Sequence, residues 1–406
     1  MLFSFVIELY SVFAKPDEWK SWQFRKKLLL GELPQLPLVE ILRSMSLKDQ
    51  IKLALSSKKY EEICKMAMVK VKWFGFHARG DMTNLNVGPA TKMNCGKEQF
   101  IDNLDNITYE ELKKWCNLEN SSTPLHNLLS VYERVNAIFR TNVHHLLIYK
   151  EDLKTITLKD VLVIPLFKNC ESIALVRGEI DSDELCHVLD TAKHLKYFRL
   201  LEAKVPSDFQ HERAFSIERI EYDDANWVRL ENLLTMRNST YVKLGTTSLA
   251  YSDFNTLLKF WVNSEVDMFI DLLIEVTEGI DSTVLFEGLL RLDSTRYTIP
   301  AYFIISKRAM VNRKRPFLLV DYYKGDLRFL SYSLTFTEIR ELKRDKLEEK
   351  KFQPEFEALR VLEQREELGK KMEEVEGLDE DDTKMMEELN TKLNVLLAEG
   401  KFTIGE

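Results

Sequence analysis

LPQLPLVEILRSMSLKDQIKLALSSKKYEEICKMAMVKV, residues 33–71, decides how the rest of the chain is read. Leu33-Pro34 and Leu36-Pro37 hold the entry extended, because each proline ring fixes its own φ and biases the residue before it away from the helix. Beyond them Leu38, Ile41, Leu42 and Met45 fall at i, i+3, i+4 and i+7, one apolar stripe on a short helix. Ile51, Ala54 and Leu55 mark a second helix. After Ser56-Ser57, residues suited to capping, Tyr60, Ile63, Cys64 and Ala67 mark a third. Three short helices in about 40 residues bury too little apolar surface to fold alone. Their stripe needs a cover, either the next domain of the chain, capped by a helical hairpin, or another protein.

The ordered set Leu36-Pro37, Val39, Ile41-Leu42, Met45, Leu47-Lys48-Asp49, Ile51, Leu53, Leu55 and Ser57-Lys58-Lys59 resembles the F-box. The resemblance covers residues 33–72 and implies docking on the Skp adaptor of an SCF ubiquitin ligase. By the same implication Leu36, Pro37, Ile41, Leu42, Met45 and Ile51 form the adaptor-binding surface. Apolar area removed from water there contributes about 25 cal/mol per Å², before the costs of association.

From residue 143 onward short β-rich pieces recur: HHLLIYK, SIALVRGEI, KYFRLLEAKV, FSIERIEY, TYVKLGTT and MFIDLLIEV. Their apolar centres Leu146, Ile173, Tyr197, Ile217, Tyr241 and Phe269 are spaced by 27, 24, 20, 24 and 28 residues. That spacing suits a leucine-rich-repeat-like unit without its strict leucine ladder, and an ordinary α/β domain is the alternative. Helices fit between the strands, with Leu185, Val188, Leu189 and Ala192 on one and Phe254, Leu257, Leu258 and Trp261 on another. Asp253, Phe254, Asn255, Leu257, Leu258, Lys259 and Trp261 are similar to the type-2 F-box-associated domain of nematode F-box proteins. That likeness implies a substrate-recruiting domain over 73–337. Trp261 and Asn255 read as core and as a backbone-satisfying group rather than as site residues.

The chain has 406 residues and a formal net charge of -8. Residues 338–406 hold 13 basic and 21 acidic side chains, so the remainder is balanced. A balanced body argues against a sequence-independent nucleic-acid binder, which draws its affinity from Lys and Arg on phosphates. Five scattered cysteines without a Cys-x-x-Cys pair read as isolated intracellular thiols, and the expected location is cytoplasmic, nuclear or both. No apolar run reaches the ~20 residues of a spanning helix, so no membrane association is expected. MLFSFVIELYSVFA at the start carries Glu8 and lacks a basic flank, which favours an amphipathic helix over a signal peptide.

Phosphate-cradling, zinc-hydrolase and serine-nucleophile motifs are absent from the sequence. His144-His145 sits in a strand, where neighbours point to opposite faces. Arg79-Gly80-Asp81 and the sequons at Asn106, Asn120 and Asn238 read as coincidence. The basic run Lys307-Arg308 with Arg313-Lys314-Arg315 reads as a solvated loop. Neither a catalytic set, nor a metal site, nor a cofactor is expected.

The expected fold is α/β: a helical extension over 1–32, a three-helix F-box over 33–72, a degenerate leucine-rich-repeat-like solenoid over 73–337 and an acidic helical or coiled-coil tail over 338–406. In the tail Met386, Leu389, Leu393 and Leu396 form a seam of about two heptads, short for a coiled coil and suited to a solvated helix on the body. The expected function is a non-catalytic substrate receptor, with the Skp adaptor, a cullin scaffold and an unidentified protein target as partners. A solenoid scaffold with no role in ubiquitin transfer is the competing class.

Overall fold

A computed structural model describes residues 35–89, 91–97, 106–153, 157–276, 281–294, 300–307, 313–323, 326–332, 352–374, 380–400 and 402–405. The expected N-terminal helix, Leu33-Pro34, Arg308 and residues 338–351 lie outside these. Two compact units emerge, one from the described residues up to Val176 with Thr191–Leu195, the other from Arg177–Asp190 with Lys196 onward.

The first unit opens with α1 (Gln35–Ser44), α2 (Leu47–Ser56) and α3 (Lys58–Ala67). The next elements are β1 (Phe74–Ala78), β2 (Asn84–Val87), β3 (Thr91–Asn94), β4 (Asn106–Ile107), α4 (Tyr109–Cys116), α5 (Pro124–Ile138) and β5 (His144–Tyr149). Two short helices, α6 (Leu158–Leu162) and α7 (Pro165–Lys168), lead to β6 (Ser172–Glu179). β1 lies parallel to β5 and antiparallel to β2, β2 is antiparallel to β3, and β3 is parallel to β4. β5 pairs parallel with β6 in the register Leu146 to Ile173, the two residues that the repeat spacing aligns.

Aromatic packing fills the core. Phe74 and Phe76 meet Tyr132 edge-on at 5.6 and 5.2 Å, and Phe76 meets Phe167 at 5.2 Å. His144 stacks on Phe76 at 5.9 Å with its Nε2 3.2 Å from the Tyr132 hydroxyl, whereas His145 packs on Trp73. Burial, helped by the neighbouring His145, lowers the His144 pKa, so this ring favours its neutral form.

The second unit contains α8 (Ser182–Thr191), β7 (Tyr197–Lys204), β8 (Arg219–Asp224), α9 (Leu230–Leu234), β9 (Ser239–Thr246), α10 (Tyr251–Asn263) and β10 (Phe269–Glu275). Next come α11 (Ser282–Leu285), β11 (Leu292–Ser294), β12 (Ala301–Ile305), β13 (Phe317–Tyr323) and β14 (Asp326–Tyr332). The last elements are α12 (Gln353–Glu374), α13 (Glu380–Gly400) and β15 (Phe402–Ile404). β7, β8, β9 and β10 are parallel neighbours in chain order, in the register Tyr197, Arg219, Tyr241, Asp271. Alignment on apolar residues slips by two positions at β8 and β10, because Ile217 and Phe269 are buried just before that row. A two-residue slip keeps side chains on the same face, so the alternation survives the error.

The regular succession stops at β10. Its other neighbour is antiparallel β14, and β13, β12, β11 and β15 continue the sheet antiparallel. An unbroken solenoid over 73–337 is therefore not what the backbone builds.

One inner row runs Phe198, Ile220, Val242, Leu272, Phe329 and Val320, every side chain buried. α10 closes on this face, with Phe254 6.4 Å from Phe329 and with Leu257, Leu258 and Trp261 buried as its helical spacing requires. The opposite face changes character along its length. Its central row reads Tyr197, Arg219, Tyr241, Asp271 over the parallel strands, then Leu330, Leu319, Phe303, Leu292 and Ile404 over the antiparallel ones.

α12 and α13 cover that apolar half. Phe352, Ala358, Leu359, Val361, Leu362 and Leu393 share one buried cluster with Leu292, Phe303, Phe317, Leu319 and Leu330. Leu389 and Leu396 pack against the cluster, so much of the expected heptad seam faces the sheet. β15 then extends the sheet beside β11 through the register Phe402 to Ser294. Residues 352–405 thus pack on the body of the second unit and add buried apolar side chains to its core.

Candidate functional site

Local chemistry builds the three helices. The Ser46 hydroxyl accepts from the Asp49 amide at 3.2 Å to cap α2, and Ser57 accepts from the Tyr60 amide at 3.3 Å to cap α3. α3 ends on Met68 in the left-handed region at φ 48°, its N–H donating to Lys65 O. Arg43 ties α1 to the end of α3, its Nε donating to Ala67 O at 3.1 Å. Buried Gln50 donates from Nε2 to Met45 O at 3.0 Å, which closes the turn between α1 and α2.

Of the six residues expected to contact an adaptor, Pro37, Ile41, Leu42 and Ile51 are buried within the chain. Met45 is half-buried. Leu36 alone is fully presented, 74% exposed at the first turn of α1. Packing within the chain therefore takes up four of the six and leaves Leu36 and Met45 with accessible surface.

A residue that spacing does not single out fixes this helical group to α4 and α5. Glu61 on α3, 4% exposed, accepts from Arg134 Nη2 of α5 at 2.5 Å and Nε at 3.0 Å. Trp115 of α4 donates its indole N–H to the same carboxylate at 3.2 Å, and the Arg134 guanidinium lies 4.7 Å over the Trp115 ring. Burial works to raise the Glu61 pKa, but the hydrogen bonds and charge of Arg134 outweigh it and hold the carboxyl below its ordinary value. Cys64 beside it is pushed up to about 11 by burial and by the Glu61 charge, so its thiol stays protonated. Glu61 looks like a polar-face residue in the sequence because its partner is 73 positions away.

Residues 30–72 match the F-box domain. F-box domains bind the Skp adaptor in SCF complexes, and α1, α2 and α3 are the helices of this F-box. None of the curated proteins and none of the solved structures matches the chain.

Elsewhere the motifs weighed in the sequence have structural employment. Arg79 of the Arg-Gly-Asp tripeptide pairs with Asp152 at 2.8 Å and lies 4.6 Å over the Tyr149 ring. Gly80, at φ 49°, lies so close to Asp152 that a Cβ would sit 2.6 Å from the Asp152 carbonyl oxygen. The basic run is not a solvated loop at Arg313, which is buried 4.0 Å over the Trp261 ring and donates to Trp261 O. Burial pushes its pKa down to about 10 against the pull of Asp267, so it keeps its charge at neutral pH. The Asp267 carboxylate also accepts the Lys314 and Arg315 amides at 3.2 and 3.0 Å. Asn255 is buried and donates to Leu285 O and Glu287 O, both at 3.0 Å. Among the described residues no group of three His, Cys, Asp or Glu is arranged to hold a metal ion, and no helix is long and apolar enough to cross a membrane.

Proposed function

We propose that this protein is a non-catalytic substrate receptor of an SCF-type ubiquitin ligase. The observation that carries the proposal is the F-box match over residues 30–72. In this reading the F-box joins the Skp adaptor and, through it, a cullin scaffold, while the second unit recruits a protein target in the cytoplasm or nucleus. The similarity of residues 253–261 to a type-2 F-box-associated domain supports recruitment by that unit. Such a receptor contributes proximity, raising the effective concentration of target lysines near the ubiquitin-loaded enzyme without an acid, base or nucleophile of its own.

Co-purification with the Skp adaptor tests the docking step. Because Ile41 and Leu42 are buried, charged substitutions there would unfold the helices rather than report contact. Leu36→Asp combined with Met45→Asp acts at accessible surface instead. Loss of adaptor capture with an unchanged thermal midpoint is expected, and capture that survives both substitutions overturns docking through this surface.

A further inference from the structure

Over β7, β8 and β9 the outer face of the second unit is not covered by its C-terminal helices, whose buried cluster lies on strands β11 to β15. Tyr197, Arg219 and Tyr241 stand side by side there in direct register, with Arg199, Glu221 and Lys243 forming the next outward row. Arg219 is exposed and its guanidinium lies 5.4 Å from the Tyr197 ring and 6.0 Å from the Tyr241 ring. Arg199 lies 4.9 Å over Tyr197, and its Nε is buried without a hydrogen-bond partner among the described residues.

The acids of this face are already engaged. Glu221 pairs with Lys243 at 3.3 Å and accepts the Tyr197 hydroxyl at 3.3 Å. Asp223 accepts the Glu202 amide at 2.9 Å, and Asp271 pairs with Arg328 at 3.1 Å. The two guanidiniums are instead held against ring faces and make no ion pair among the described residues, and Arg219, which is exposed, presents its N–H edge to a planar bidentate acceptor. Tyrosine and arginine are also the residues most enriched where interfaces concentrate their binding energy.

We propose that the face of β7–β9 binds an acidic segment of a partner polypeptide, a carboxylate seated on the edge of Arg219 with the Arg199 charge beside it. Charge complementarity selects this occupant. In the two rows Arg199, Arg219 and Lys243 outnumber Glu221, so the patch is locally positive, and a guanidinium edge matches a single planar carboxylate. The proposal deepens the receptor reading by naming the chemistry of the target, and it rests on that reading.

The test is fluorescence anisotropy of a labelled Gly-Glu-Ala repeat peptide titrated with the full chain, against the matching Gly-Gln-Ala peptide. The Glu peptide is expected to bind and the Gln peptide to fail. Arg199→Gln with Arg219→Gln should weaken the Glu peptide by about ten-fold or more, and Arg219→Lys, which keeps charge but loses the fork, should cost part of that. Thermal melts of each variant separate lost binding from lost fold. Equal binding of the two peptides, tighter binding of a single-stranded oligonucleotide, or a chain dimer dissolved by Arg219→Gln would each overturn the proposal. Adaptor capture by the unsubstituted chain is read separately, so failure of the receptor reading is distinguishable from failure of this one.

Discussion

Glu61 shows how much a single buried charge organises in the first unit. Its carboxylate is matched by Arg134 and Trp115, and removing it leaves the half-buried Arg134 guanidinium without its charge partner, a loss of about 1–3 kcal/mol. Glu61→Gln is therefore expected to lower unfolding stability by about that amount at pH 7. The folded carboxyl binds its proton more weakly than the unfolded one, whose ordinary value is 4.5. The contribution is thus complete above that value and disappears as pH falls through the depressed folded value. The stability difference between wild type and Glu61→Gln, measured by denaturant unfolding, should shrink below about pH 4.5. A gap that stays constant down to pH 3 would show that Glu61 is not held ionised by Arg134. None of this was legible locally, since a glutamate on a short helix announces only a polar position until the fold delivers an arginine from α5.

At the scale of elements, the periodicity of α1, α2 and α3 was readable because Leu38, Ile41, Leu42 and Ile51 repeat at helical spacing and Ser57 sits where an unsatisfied amide needs an acceptor, whereas the Ser46 cap emerged only in the structure. Substituting Ser57 by Ala should cost about 1 kcal/mol, visible as a lower thermal midpoint, and an unchanged midpoint would show that the cap is idle. Periodicity identified an apolar face but not its cover. Chain packing takes Pro37, Ile41, Leu42 and Ile51 and leaves Leu36 outside, which is why the double substitution at Leu36 and Met45 discriminates and one at Ile41 does not. The arginine and tyrosine row on β7, β8 and β9 was equally hidden. Its members lie 22 residues apart and become neighbours only through the strand register.

For the whole molecule, the net charge of -8 is carried by residues 338–406, yet the helices within that stretch are amphipathic. Most of their acidic residues stay in water, Glu355 and Glu363 being buried, while Leu359, Leu362 and Leu393 enter the core of the second unit. Deleting residues 352–406 should bare Phe303, Phe317, Leu319 and Leu330 and leave β11 as an unpaired edge, both routes to aggregation. Size-exclusion and thermal melting of the truncated chain are expected to show oligomers and a lowered midpoint. A monomer with an unchanged midpoint would mean that the two helices are dispensable.

The sequence by itself determined that helices precede strands and that Ser57 caps the third helix, because each of these depends on spacing within one element, whereas its aligned centres Tyr197 and Tyr241 fall on the outer row of the second unit rather than the buried one. It also held a signal about the cover: AYFII and FLLV are apolar at consecutive positions, as strands buried on both faces must be. Only the tertiary structure decided that the second cover is the chain's own acidic end. It likewise decided that these two helices stop short of the polar stretch of the same face. The reason is that a strand's alternation specifies which side chains share a face, whereas the cover over that face depends on contacts between segments far apart in the chain.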